Sequence, residues 1–485
     1  MDEGLRMALG LAVGLVLLIL MITKTRIHVF LAVIICSIFI GLFGGMGQED
    51  VIASITKGFG NSLSSIGIII GFGVMLGKLL EMSGATRVMA NTFIKIFGKN
   101  REEEALAISG FVTSLSIFCT SGFIILSPLM KALSRKTKKS VVALGIALAG
   151  GLVASHSLVP PAAGPIGVAG ILNVNIGQFM LYGAILSIPI ILVSLIYGKY
   201  LGGKIRQIPD GEGWTRDYET AEEGMEEGAA AEGAAKAAAA NTAAGSSAAA
   251  GNTEAAANTE TAAAANTAAD IRPLMAFAPI LFPIVFILLK TGLKSAGMEN
   301  AVVSLMGQPI VALAIGLLIA IYGLMRQFGK SETLNAMEEG LKASGKLMLL
   351  VGGGGALGMI IQSSGLGEYI ASSIIKTSIP PILLPFLISA LLRVAQGSGS
   401  VAMMTAASVA APMIATLNLN PVFAALAACI GAIPFSHFND SYFWVINESI
   451  GIDDTREQMK VWSVTTTLSG FAALAVLMVM NHFLG

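Results

Sequence analysis

One long apolar run is broken in its middle by residues that a lipid-facing helix does not tolerate. It opens as VVALGIALAGGLVA (Val141–Ala154), breaks at SHSLVPPAAGP (Ser155–Pro165) and resumes as IGVAGIL (Ile166–Leu172). About 20 apolar residues suffice to cross the hydrocarbon core, so the run is long enough to span. Pro160 and Pro161 have no backbone N–H to give to a helix ladder. Non-helical backbone at membrane depth survives only where protein or a watery cavity satisfies its polar groups. The interruption therefore predicts a helix broken inside a bundle, the arrangement from which such proteins commonly build a binding site.

The run has a twin. FAALAACIGAIP (Phe423–Pro434) leads into FSHFNDSYFWVIN (Phe435–Asn447), and the two Ser-His pairs, Ser155-His156 and Ser436-His437, lie 281 positions apart. The same separation joins Ser83-Gly84 to Ser364-Gly365, and it sets SLSIFCTSGF (Ser114–Phe123) opposite AQGSGSVAMM (Ala395–Met404). Three landmarks in one register argue an internal duplication.

The 485 residues are 54% hydrophobic and 12% charged. Soluble domains carry about 25% charged residues, so the chain reads as a polytopic membrane protein. The formal net charge of zero hides a split, because residues 210–270 hold twelve of the thirty acids but only Arg216 and Lys236 of the bases. Basic cytoplasmic loops account for the excess elsewhere; an anionic substrate also suits it. Cys36, Cys119 and Cys429 stand apart in apolar surroundings, without metal-ligand spacing or a disulfide framework. Nothing in the pattern asks for a metal, a cofactor or a nucleic-acid partner. The first residues lack a basic n-region and a small-residue cleavage site, and read as a retained span.

Apolar runs fall at 5–22, 27–43, 62–82, the broken 140–172 and 177–201, then again at 273–290, 301–324, 346–363, the broken 420–450 and 461–484. Between the third and fourth of each set lies an apolar pair with small polar residues at its centre, at 104–130 and 382–416. These read as re-entrant hairpins; a pair of ordinary short helices is the alternative. The expected fold is thus an all-α membrane protein of two five-span repeats, each with a hairpin and a broken helix. The odd number of spans inverts the second repeat relative to the first. The basic cluster Lys131, Arg135, Lys136, Lys138 and Lys139 belongs in the cytoplasm by its charge, which puts both termini outside. The repeats occupy 1–208 and 271–485. Residues 209–270, rich in Ala, Gly, Asn, Thr and Glu, cannot bury a core and read as a disordered cytoplasmic linker.

Broken helices and hairpin tips bring helix ends, with their unpaired N–H groups and partial charge, to the middle of the bundle. A small, hydroxylated anion is the ligand they suit. Ser116, Cys119, Thr120, Ser121 and Gly122 are candidates for one side of its site, and Gln396, Gly397, Ser398 and Ser400 for the other. Close helix packing is the competing reason for small residues at these tips. Ser155, His156 and Pro160 at the first break, and His437 and Asn439 at the second, complete the binding candidates. Ionisable groups at membrane depth are costly and usually functional; the clear cases are His156, Arg393, His437 and Asp440. Arg393 can pair with a substrate carboxylate or neutralise Asp440, and both readings stand. Asp440, His156 and His437 are the candidates for a coupled proton, Asp440 first because a buried charged carboxylate is costly unless paired.

At SHSLVPPAAGPIGVAGILNVNIG (155–177), LLRVAQGSGSVAMMTAASVAAP (391–412) and FSHFNDSYFWVIN (435–447) the sequence resembles the gluconate:proton symporter (gluconate permease) family of bacterial inner-membrane proteins. The likeness covers the chain except 209–270. It implies ion-coupled import of gluconate, a related sugar acid, or a small hydroxy acid such as D-serine or glycerate. Protons are the implied coupling ion and sodium the alternative; a homodimer is compatible with the pattern. An intramembrane hydrolase built from Ser, His and Asp is the rival from another class, but no GxSxG elbow is present. A passive anion channel is the other rival, and it would have no need of two reciprocal broken helices.

Overall fold

The computed structural model describes residues 3–216 and 271–484, apart from 99, 211–212, 299, 366–368 and 370–379. The first half runs as α1 (Glu3–Lys24), α2 (Val29–Phe43), α3 (Gln48–Ser83), α4 (Ala85–Phe97), α5 (Glu102–Thr113), α6 (Cys119–Thr137), α7 (Val141–Leu158), α8 (Ala163–Ile171) and α9 (Ile176–Lys204). A two-stranded hairpin follows, β1 (Ile208–Asp210) antiparallel to β2 (Gly213–Thr215). The second half runs as α10 (Pro273–Ser295), α11 (Ala301–Met306), α12 (Pro309–Ile319, continued by a π turn to Leu324), α13 (Lys330–Ser363), α14 (Leu383–Gln396), α15 (Gly399–Ala410), α16 (Pro421–Gly431), α17 (Ser441–Ser449) and α18 (Thr465–Leu484).

Six of these helical stretches are long and apolar enough to cross a membrane: 141–171, 176–204, 273–295, 309–327, 330–363 and 455–484. The two arms of α3, bent by 48° between Ser64 and Gly67, pass the same test when they are taken together as one span. Together with the shorter apolar helices α2, α14, α15 and α16, they make an all-α membrane protein.

Local chemistry sets the ends of the key helices. Ser140 caps α7 by accepting from the Val142 N–H at 3.3 Å, and Asn175 caps α9 by accepting from Gln178 at 3.0 Å. Asn420 caps α16, with Pro421 in the first turn, where a missing N–H costs nothing. The first break is short: α7 continues through Ser155-His156 and stops only at Val159, where Pro160-Pro161 leave no donors. The second is longer, running from Ala432 to Asp440 across Pro434. The two Ser-His pairs therefore sit in different local structures, His156 on a helix and His437 in irregular chain.

The halves interlock reciprocally. Among the described residues the most extensive packing joins α3 to α13. The second arm of the first apolar pair, α6, packs on α17, the far piece of the second broken helix. In the mirrored relationship α15 packs on α8, the far piece of the first broken helix. One helix of each apolar pair thus packs on the piece that follows the break in the other half.

At the start of the segment that composition reads as a linker, residues 208–215 form the β1–β2 hairpin, which docks on the second half. Trp214 lies over Gly451, close enough that a β-carbon there would meet the indole at 2.2 Å, and Lys131 Nζ stands 5.0 Å from the Trp214 ring centre. Gln207 Nε2 donates to the Ile450 carbonyl at 2.8 Å, and Arg216 pairs with Glu457 at 2.6 Å. A tryptophan in a short turn-rich segment escapes a composition window, yet its ring supplies the apolar area that anchors the hairpin. The remainder of the linker, 217–270, lies outside the described residues.

The basic loop before α7 is partly tied down. Lys139 Nζ reaches Glu102 at 2.8 Å and Glu103 at 2.5 Å. Partial burial alone would lower the pKa of the Lys139 ammonium, but the hydrogen bonds and charges of the two glutamates outweigh it and raise it. The helix α4 was not anticipated from hydropathy, because its alternation of Arg87, Thr92 and Lys95 with apolar residues reads as a basic loop.

A candidate substrate site between the two hairpin tips

The first tip is the turn between α5 and α6, where Ser114 Oγ donates to the Ile117 carbonyl at 3.0 Å and α6 starts at Cys119. The second lies between α14 and α15. Gly397 takes a left-handed φ of 76°, and a β-carbon there would stand 2.1 Å from the Asn439 carbonyl oxygen. Both the conformation and the contact demand glycine. Gly397→Ala is expected to be strongly destabilising: a left-handed alanine costs about 1–2 kcal/mol, and the clash with backbone adds to it. A melting temperature equal to that of the parent protein would contradict this packing.

Arg393 and Asp440 join that tip to the second broken helix. Each is only 7% exposed. Arg393 donates through one terminal nitrogen to the Gly397 carbonyl, closing its own helix end, and through the other to Asp440 Oδ2. Asp440 caps α17 by accepting from the Tyr442 N–H at 3.0 Å, and Ser436 Oγ donates to it at 2.5 Å. Each carboxylate oxygen thus has a partner. Of the two readings open for Arg393, the structure displays pairing with Asp440.

A cavity of about 430 Å³ opens beside this pair. Cys119 and Thr120 from the first tip and Gln396, Gly397, Ser398 and Ser400 from the second line it, with His156 and Ser157 from α7 and Asn439, Asp440 and Tyr442 at the second break. A neighbouring cavity of about 250 Å³ is lined by Ser116 and Ser121, with Lys78, Glu81 and Pro161. His156, Phe118 and Ala343 border both spaces. Several polar atoms here are buried without a hydrogen-bond partner: Arg393 Nε, both amide atoms of Gln396 and Ser116 Oγ. Buried polar atoms ordinarily find partners, and four orphans around one pair of cavities mark where a polar ligand would be held.

Four candidates lie outside the lining of both cavities. Gly122 packs against Leu152, where a β-carbon would come within 2.6 Å. Ser155 is buried with its hydroxyl directed at the Leu152 carbonyl, 3.5 Å away. Pro160 is buried at the break itself. His437 sets Nε2 3.2 Å from the Val394 carbonyl, beside Asn439 Nδ2 donating to the same oxygen at 2.8 Å. The longer second break moves His437 off the position that His156 holds on its helix.

Lys346 lines the larger cavity and was missed by hydropathy. By hydropathy the apolar run begins at 346, which makes this lysine look like a span's end. In the structure α13 starts at Lys330 and has 34 residues, so Lys346 stands at its middle. The cue in the sequence is its spacing: Ala343, Lys346, Leu347 and Leu350 all line the cavity and share one helix face.

A GntP family permease model matches residues 7–229 and 248–483. An uncharacterized permease of Haemophilus influenzae is 38% identical over 97% of this chain and 91% of its own. The high-affinity gluconate transporter of Escherichia coli is 30% identical over 97% of this chain and 98% of its own. The solved structure of Neisseria gonorrhoeae MtrF, described as illuminating a class of antimetabolite efflux pumps, superposes with a TM-score of 0.63 at 14% identity, covering 96% of this chain and 97% of that one. The last likeness concerns the fold alone. With matched segments reaching across both halves and relatives covered almost end to end, the chain belongs to the GntP family of permeases, which are membrane transporters and not enzymes.

Proposed function

We propose that this protein is a secondary active transporter that imports gluconate or a related hydroxylated monocarboxylate with protons. The observation that carries the reading is the buried Arg393–Asp440 pair beside a cavity with unpartnered polar atoms. A sugar acid offers one carboxylate and several hydroxyls that both donate and accept. Gln396, with a free donor and a free acceptor, suits such hydroxyls. The cavity of about 430 Å³ is within the ordinary range for small-molecule sites. The name of the Escherichia coli relative, a gluconate transporter, points to the same substrate class.

Coupling follows from competition for one guanidinium. While Asp440 is ionised it occupies Arg393; a proton on Asp440 weakens that hold and frees Arg393 for the substrate's carboxylate. Proton and anion then favour the same state, which is the linkage that symport needs. The reciprocal packing of α6 on α17 and of α15 on α8 supports reading the halves as inverted repeats with re-entrant hairpins, the common frame for alternating access. The basic loops support a reading with both termini outside and the linker of 209–270 in the cytoplasm of a bacterium, the protein lying in its inner membrane.

Purified protein in liposomes, given an inward proton gradient, is expected to concentrate labelled gluconate at least tenfold. Accumulation that needs a sodium gradient instead would reassign the ion, and competition by D-serine or glycerate but not by gluconate would reassign the substrate. No accumulation of any of these would overturn the reading.

A further inference from the structure

We infer that Lys346 is the cation that captures the substrate's carboxylate while Arg393 is still paired with Asp440. The inference deepens the transport reading and rests on it.

Among the described residues, Lys346, Arg393 and Asp440 are the Lys, Arg, Asp and Glu side chains that line the larger cavity. Arg393 and Asp440 neutralise each other. In the adjoining cavity Lys78 is held by Glu81 at 3.5 Å and by Glu339 at 3.6 Å. Lys346 has no carboxylate partner among the described residues, so one positive charge in the chamber is left uncompensated. It is exposed, and it stands where α13 passes from a charged first half, with Glu332, Glu338, Glu339 and Lys342, into its apolar second half, on a face that lines the cavity. Its neighbours on that helix face, Leu347 and Leu350, are buried, and they fix the side of α13 that meets the cavity.

An anion entering this chamber meets an available lysine and an occupied arginine. A lysine also suits this role chemically: its ammonium is a point charge on a flexible stem that can follow a carboxylate without a fixed bidentate geometry. Arg393 can engage the anion only after Asp440 lets go. Lys346 therefore sets the affinity for external substrate, and the Arg393–Asp440 pair sets the dependence on protons.

The test uses the full chain in liposomes and reads initial uptake of labelled gluconate against concentration at several pH values. Lys346→Met and Lys346→Gln are expected to raise KM at least tenfold, with the maximum rate within threefold of the parent and the pH profile unmoved. Lys346→Arg, which keeps the charge, stays within threefold in KM. Melting temperatures of all three variants, read on the same preparations, separate this from misfolding. A KM within twofold of the parent in Lys346→Met overturns the inference while leaving the transport reading intact. An equal rise in Lys346→Arg at unchanged melting temperature overturns the role of charge. If the unaltered protein takes up no gluconate, the transport reading falls and the inference with it.

Discussion

Arg393→Met is expected to lower the melting temperature sharply and to abolish gluconate uptake, and adding Asp440→Asn is expected to restore the fold but not the uptake. Both side chains are 7% exposed. Removing one member of a buried pair leaves the other charged and uncompensated, which costs about 3–5 kcal/mol. Methionine fills much of the space that the arginine stem occupies, so lost packing contributes little to that cost. Asparagine at 440 removes the stranded charge while keeping an oxygen for the Tyr442 N–H that caps α17. The double variant should therefore melt within a few degrees of the parent. It nevertheless lacks the guanidinium to which the transported anion is assigned. Uptake by the double variant at parental rates would show that Arg393 serves the fold alone.

Asp440→Asn by itself is expected to uncouple transport. The amide imitates a permanently protonated carboxyl at nearly the same size, but it leaves Arg393 as the uncompensated buried charge, so the substrate-free variant is expected to melt below the parent and to regain stability when an anion binds. Exchange of internal for external gluconate, which needs no release of a proton, should stay within about threefold of the parent. Accumulation driven by a proton gradient should fall at least a hundredfold, and its pH dependence should vanish. Concentrative uptake with an unaltered pH profile would remove Asp440 from the coupling step and pass the role to His156, which borders both cavities.

Much of this arrangement is legible in the amino-acid order because it depends on strong local signals. Pro160-Pro161 and the stretch from Gly431 to Pro434 interrupt apolar runs, and the helices stop there. The small residues at 397–400 and 119–121 mark where each apolar pair changes direction: Gly397-Ser398 make the second turn and Gly399 opens α15, while the first turn lies just before Cys119, which opens α6. What escapes the sequence is what depends on partners far along the chain. The pairing of Arg393 with Asp440 joins residues 47 positions apart, and no spacing rule ranks it above a bond to substrate. Lys346 escapes because a hydropathy window locates where a helix becomes apolar, which is not where it starts. His437 looks equivalent to His156 by register, yet the second helix stops earlier and directs that ring to the Val394 carbonyl. Trp214 escapes because a single aromatic ring contributes little to composition and much to docking.

The proton stoichiometry of gluconate binding is the most direct test of substrate and coupling residue together. Titrating the purified protein with gluconate by calorimetry near pH 7, in buffers of different ionisation enthalpy, gives the number of protons taken up per anion bound. Close to one proton per gluconate in the parent, and none in Asp440→Asn with binding retained, is the result expected if anion and proton compete over Arg393. Gluconate binding with no proton uptake in the parent, or with the same uptake in Asp440→Asn, would contradict it.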